Sequence, residues 1–455
     1  MTLAAELARR IANTKYDDLT PGALRYAKIG LLDTLGVGIA GAHEEAAVIS
    51  RRVAGRTPGV ALVWGTPHRA EPTEAAFLNG IAANVLDFDD CTDNLGGHPS
   101  APVLPALFAL AETRGASGRD VLTSYVVGFE TETQLGRGVN FHHYEKGWHP
   151  TATLGVFGAG AACAHLLGLD KDRITHVLAL CASMAAGLKS NLGSMAKPLH
   201  VGSCSRNGLL AALLACEGFT GNADALEHHH GFLEVFNGAG TYSVERILAK
   251  WGAPWEIETP GIAIKQYPCC LSTQSAVDLA LDLVRTHDIK TEQVTRILSR
   301  TSQRRLAHTN RPQPRSALDA KLSIQYVLAR AVTDRRIALD HFEGDAFKSS
   351  HVQHLMQRIH ALPFDAGSPA PDMGATMTIE LDDGRSLSGT IDHAVGHAVG
   401  EPLAPGLLAA KFESCTTPTL TAAQIDRILK TIDRFEGLED IRTLTTMLEP
   451  TMAAR

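Results

Sequence analysis

At 455 residues, 45% of them hydrophobic, the chain is long enough to bury two or three lobes, so small size imposes no need for stapling. A net charge of −7 provides no basic field for nucleic acid or an anionic membrane, and 41 glycines with only 5% aromatics suit closely packed helices rather than a β-sandwich. Eight cysteines without a CxxC spacing read as reduced structural thiols, neither a disulfide frame nor a zinc site.

The opening MTLAAELARRIANTKYDDL has helical spacing and no signal-peptide core, and the most apolar window, GVFGAGAACAHLLGL (155–169), is shorter than a membrane span. A cytoplasmic protein of small-molecule metabolism is the expectation. Up to about residue 250, apolar residues recur at i, i+3, i+4 and i+7 in PGALRYAKIGLLDTLGVGIAG, EPTEAAFLNGIAANVL, APVLPALFALAETRG, GRDVLTSYVVGFETETQLGRG, TATLGVFGAGAACAHLLGL and GLLAALLACEGF. Gly or Pro punctuates each junction. The pattern changes near Thr259: AVDLALDLVRTH reads as helix, VTRILSRTSQ as strand, ALDAKLSIQYVLARAVTD as helix, and MTIELDDGRSLSGTID as a hairpin turning at Asp-Asp-Gly. From Leu407 the helical pattern returns. The fold class is therefore mainly α, with a large helical domain formed by residues 1–262 and 396–455 and a smaller α+β lid over 263–395.

Four stretches place polar residues between apolar helices. LDFDDCTDNLGGHPS (86–100) gathers Asp87, Asp89, Asp90, Asp93, Cys91 and His98 in an acidic, glycine-containing loop, a poor packing element well suited to holding charge. GVNFHHYEKGWHPTATLGVFGA sets His149 just before a helix start, where free backbone N–H groups suit a carboxylate; His142 and His143 read as surface residues, and Tyr144 is left open. GSMAKPLHVGSCSRNG carries Lys197, His200 and Arg206 in a Gly/Ser-rich loop running into a buried helix, where a lysine pairs with a carboxylate and Arg206 could fork onto a second one. IKQYPCC places Lys265 and Tyr267 at the domain boundary, where clefts form. Cys269 and Cys270 make a poor metal pair, and the triple His228, His229 and His230 reads as a solvated face. No GxGxxG after a strand, no GxxxxGK[ST], no HExxH and no GxSxG occurs. What remains suits removal of a proton from carbon next to a carboxylate.

Together, LDFDD with GHPS, GWHPTATLGVFGA, AKPLHVGSCSRNG, YPCC, LSIQY and PLAPGLLAAKFES resemble, in order and over nearly the whole chain, the MmgE/PrpD family of 2-methylcitrate dehydratases, cis-aconitate decarboxylases and iminodisuccinate epimerases. The resemblance implies a homodimer with no metal or organic cofactor, acting on a small di- or tricarboxylate with no nucleic-acid or membrane partner. It places the catalytic positions at Asp87, His98, His149, Lys197 and Tyr326, the last on resemblance alone. Substrate contacts are expected from Cys91, His200, Arg206, Lys265, Tyr267 and Gln274. Three departures stand out: Cys91 where relatives commonly have Thr, Gln274 where many have His, and HPSAP where the dehydratase branch continues HPS with Asp-Asn. The expected reaction is dehydration or decarboxylation, with His98 or His149 moving the proton and Asp87 fixing an imidazole tautomer. The alternatives are epimerisation by a Tyr144/Lys197 pair, or an acid-binding relative without turnover.

Overall fold

Small side chains set how closely the central helices approach. A Cβ on Gly80, in helix Pro72–Val85, would lie 2.8 Å from the Gly202 Cα, and one on Gly202, in helix Ala196–Cys216, would lie 2.4 Å from the Phe77 carbonyl oxygen. Only hydrogen fits between these two backbones. Helices Ser100–Arg114 and Gly155–Leu166 pack on this pair and Gly118–Val139 packs on them in turn, and most positions on all three are buried. The computed structural model describes residues 1–365, 367, 369–397 and 404–451. Residues 402 and 403, which open the PLAPGLLAAKFES motif, lie outside them. Among the described residues no helix is long and apolar enough to cross a membrane.

The fold is mainly α with a smaller α+β domain. Helix starts follow ordinary capping chemistry: Thr20 accepts from the Ala23 N–H before Pro21, and Ser117 forms a capping box with Asp120. One apolar cluster joins helix Leu3–Asn13 to residues 152–181 and 204–215. A second joins helix Pro21–Gly41 to helices Pro405–Thr416 and Ala422–Asp433, so the end of the chain packs on its beginning. A short ribbon, β1 (Pro58–Leu62) and β2 (Arg69–Ala70), flanks the helices.

The third cluster runs from Cys269 to Leu381 and belongs to the α+β domain. Its sheet has the order β4-β3-β5-β6, with β3 Val294–Thr301, β4 Ile359–Pro363, β5 Ala375–Leu381 and β6 Ser386–Ile391. β3 is parallel to β4 and antiparallel to β5, and β5 and β6 form the hairpin read from the sequence. Every second residue of β5 is buried, and helices Leu271–Thr286 and Ile324–Asp334 pack against the sheet.

Several local expectations are corrected. Residues 196–216 form one helix, so Lys197 and His200 lie on its first turns rather than in a loop; Pro198 is tolerated there because first-turn N–H groups have no intrahelical partner. The 151–169 run divides at Leu154, where Thr151 accepts from the His98 N–H and Thr153 pairs with His143. These sideways bonds fix the Pro150–Thr153 turn apart from the helix that follows. The 317–334 run breaks at Lys321 to Ser323, where Ser323 caps a new helix. Short β4 and helix Gln303–Thr309 escape a periodicity reading because neither is long enough to show one.

Gly202→Ala puts a methyl group against the Phe77 carbonyl, so the two helices must move apart. We expect a loss of about 2 kcal/mol or more, measured by urea unfolding, against little change for Gly437→Ala, at a site with open space and no left-handed backbone.

Candidate active site

The loop after helix Pro72–Val85 begins with Asp87 in the left-handed region, at φ +51°. Aspartate tolerates that conformation better than most residues with a Cβ, and its side chain is anchored here from several directions. Cys91 exchanges backbone hydrogen bonds with Ala263, and Thr92 Oγ1 donates to the Gly261 carbonyl. The acidic loop is thereby fastened to the segment that enters the α+β domain.

Asp87 is the centre of a buried charge cluster. Its Oδ1 lies 2.5 Å from Lys265 Nζ, 3.0 Å from Lys197 Nζ and 3.5 Å from His98 Nε2, and Lys265 also donates to the Asp87 carbonyl at 2.8 Å. Burial would raise the Asp87 pKa, but Lys197, Lys265 and His98 together hold the carboxyl far below the usual range. Burial likewise pulls Lys265 down, and Asp87 more than reverses it. Although Lys197 Nζ is at ion-pair distance, it makes no aligned hydrogen bond among the described residues, which leaves its N–H bonds for a ligand.

Asp89, not Asp87, orients the His98 ring. Its Oδ2 lies 3.1 Å from Nδ1 and also accepts from Asn84 Nδ2 at 2.8 Å, whereas Asp87 stands farther off and is engaged by the lysines. With the proton on Nδ1 donated to Asp89, Nε2 carries the free lone pair. Burial lowers the His98 pKa despite Asp89, so the ring is neutral at neutral pH. His149 is buried and neutral for the same cause, reinforced by Lys197, and its Nδ1 lies 3.3 Å from His200 Nδ1. The turn after His149 is only four residues long and packs directly on Gly97, so it does not offer the expected carboxylate site.

These groups meet in a cavity of about 90 Å³ between the helical and α+β domains, room for several waters and hence for a small acid. Asp87, Cys91, His98, Tyr144, His149, Lys197 and Lys265 line it from one side. The other side comes from residues the sequence reading missed: Cys270, Ser272, Arg304, Arg305 and His308. Helix Gln303–Thr309 starts at Ser302, whose hydroxyl accepts from the Arg305 N–H, and this directs two guanidinium groups at the cleft. Arg304 lies 3.7 Å from the Phe141 ring centroid and pairs with Asp372. Arg305 joins Asp372 at 3.0 Å and Asp93 at 3.6 Å. A Ser-x-Arg-Arg run after a strand was the available signal.

Other expected residues fall outside the cleft. Tyr326 is fully buried, donating to the His341 carbonyl and accepting from Arg330, because its helix face forms the α+β core. Arg206 is exposed over the Phe77 ring. Tyr267 donates to Asp278, and Gln274 ties the YPCC turn by bonding the Tyr267 and Cys269 carbonyls. Among the described residues His200 does not line the cavity; it meets the site through its contact with His149. His143, read as a surface residue, is buried between Asn237 and Thr153. Asp87, Asp89 and His98 are close enough to hold a metal ion, but two lysine ammonium groups already occupy the Asp87 carboxylate, so this donor set does not fit a divalent cation.

Removing Lys265 strips a fully buried partner from Asp87, so Lys265→Met is expected to cost about 3 to 5 kcal/mol in denaturant unfolding, and Lys197→Met distinctly less because Lys265 remains. Buried histidines and buried carboxylates pull stability in opposite directions across acid pH. His143 and His308 are pushed down to about 4 by burial from an ordinary 6.5, so their contribution is full above pH 6.5 and is lost as pH falls towards 4. Glu130, raised by burial from 4.5 to about 7, works the other way: its contribution is full below pH 4.5 and is lost as pH rises towards 7. Asp87, held low, adds a loss only below its ordinary 3.8. Urea midpoints at pH 7.5, 5.5 and 4.5 should show a smaller acid loss in His143→Gln than in wild type.

Comparison with known proteins agrees with this architecture. The family model for the MmgE/PrpD N-terminal domain matches residues 5–245, and that for the MmgE/PrpD C-terminal domain matches residues 267–436. The chain is 30% identical to a cis-aconitate decarboxylase of Homo sapiens over 98% of its length and 95% of that protein. It is 27% identical to a cis-aconitate decarboxylase of Aspergillus terreus (98% and 96%) and 25% identical to a 2-methylcitrate dehydratase of Escherichia coli K12 (89% and 88%). With both domain models matched in order and relatives aligned from end to end, the chain belongs to the MmgE/PrpD family.

Proposed function

We propose that this protein is a cofactor-independent lyase that decarboxylates a small tricarboxylic acid of the cis-aconitate kind. The observation that carries the reading is the convergence of Lys197, Lys265, Arg304 and Arg305 with neutral His98 and His149 on one small cavity. The decarboxylase relatives also align over more of the chain, 98% against 88–89%, and at 26–30% identity against 25–26% for the dehydratases.

In this reading Lys197, with N–H bonds to spare, and the two arginines hold carboxylates. The bond to one carboxyl group breaks, and the electron pair spreads over the adjacent double bond and carboxylate, where the fixed cations stabilise it. The Nε2 lone pair of His98 is suited to taking a proton. Tyr144, whose hydroxyl burial keeps protonated, is suited to giving one. Cys91 is likewise kept as a neutral thiol by burial and contributes a weak donor beside His98. Epimerisation of a dicarboxylate is the second reading, favoured by Tyr144 and Lys197, which both line the cavity and can each pass a proton. The homodimer implied by the family resemblance belongs to the same proposal.

Purified protein incubated with cis-aconitate or with a chiral dicarboxylate, aspartate, in deuterated water tests it by NMR. We expect carbon dioxide from cis-aconitate and one solvent deuterium in the product. Deuterium entry with inversion, and no carbon dioxide or new alkene, supports the epimerase instead; no reaction or exchange with either acid sinks both. Lys197→Met is expected to lower turnover about 100-fold or more with the melting temperature within a few degrees, and unchanged turnover removes Lys197 from the site.

A further inference from the structure

Two sets of proton-carrying groups face the cleft, and the Asp87 cluster is only one of them. The second is centred on His308, which the α+β domain contributes. Its Nδ1 lies 3.5 Å from Tyr144 Oη, while Nε2 lies 3.1 Å from Ser272 Oγ and 3.7 Å from Cys270 Sγ. The Tyr144 and His308 rings meet edge-on, with centroids 6.1 Å apart. Tyr144 is braced from behind by Lys189, whose Nζ lies 3.4 Å from its ring centroid and donates to its carbonyl at 2.9 Å.

We propose that His308 is a positioning residue for a catalytic Tyr144: pinned by the Ser272 hydroxyl, it presents its Nδ1–H to the Tyr144 oxygen, so that the Tyr144 proton points at a substrate carbon. This rests on the lyase reading above. A neutral imidazole has one N–H and one lone pair, so a hydroxyl that donates to one nitrogen forces the proton onto the other. Ser272 O–H donating to Nε2 therefore places the proton on Nδ1, facing Tyr144. The opposite arrangement would draw the tyrosine proton toward His308 and away from the cleft.

The groups facing His308 agree with a neutral ring. Burial, with Arg305 and Arg311 from its own helix and the segment after it and Lys189 from the turn 189–191, holds its pKa down to about 4, outweighing the Arg304 backbone carbonyl, which shares the ring's N–H and favours the charged form. Tyr144 and Cys270 are the titratable groups facing it from the other elements, and burial keeps each protonated. In the step, the Tyr144 O–H bond breaks and a C–H bond forms with the electron pair left by the departing carboxyl group. The phenolate accepts from His308 Nδ1–H, with Arg304 and Arg305 nearby, until water returns a proton after product leaves.

Steady-state kinetics with cis-aconitate as the probe, read as carbon dioxide release and deuterium uptake, test this in wild type, His308→Leu, His308→Gln, Tyr144→Phe and the double variant His308→Leu/Tyr144→Phe. His308→Leu and Tyr144→Phe are each expected to lower kcat about 100-fold with KM within about threefold of wild type. His308→Gln, which still offers an N–H to Tyr144, should recover a clear part of that loss. The double variant should be no worse than Tyr144→Phe alone, since the two residues act as one unit. Unchanged kcat in His308→Leu, additive losses in the double variant, or a loss confined to KM overturns the role of His308 while leaving the lyase reading intact. A wild-type protein that neither releases carbon dioxide nor takes up deuterium overturns both.

Discussion

A single carboxylate holds this site together. Asp87 lies where burial disfavours its charge, and Lys265 lies where burial disfavours the opposite one; Asp87 is ionised because Lys197 and Lys265 stand beside it, and Lys265 because Asp87 is 2.5 Å away. The acidic loop, helix Ala196–Cys216 and the segment entering the α+β domain all contribute to this group. Three pieces of chain, distant in sequence, are thus brought to one point before any substrate arrives, and His98 is set against the same point by Asp89. Preorganisation of this kind is what an active site needs, because fixed charges do not have to reorient as charge moves in the reaction.

The helices make that meeting possible by bringing their backbones unusually close. Gly80 and Gly202 touch, Asp87 is seven residues beyond the first, and Lys197 is five before the second. At about 1.5 Å per residue, an antiparallel pair in contact at the glycines brings those two ends to comparable depth. The packing contact and the ion pair are therefore one geometric fact, and a bulkier residue at either glycine would disturb both.

Much of this was legible in the sequence. The long helices have periodic apolar faces with Pro, Gly or hydroxyl residues at their ends, and the Asp-Asp-Gly hairpin has both alternation and a turn. The acidic loop, His149 and Lys197 stood out because polar residues interrupted apolar runs, and the structure brings them together. Two kinds of feature escaped. Arg304, Arg305 and His308 sit on a two-turn helix too short to show a period, and they reach the cleft only through the tertiary placement of β3. Tyr326, Tyr267, Gln274 and Arg206 lie in or beside recognisable motifs, yet those motifs are held by structural bonds: a core tyrosine, a tied turn and an exposed guanidinium. Chain order does not show which side of a helix faces the cavity.

The arrangement of Arg305 has one more consequence. Its guanidinium bridges Asp93 on the helical side to Asp372 on the other. One cation that lines the cavity is therefore also a clasp between the two domains, so the positive charge facing the cleft and the seam beside it depend on the same side chain.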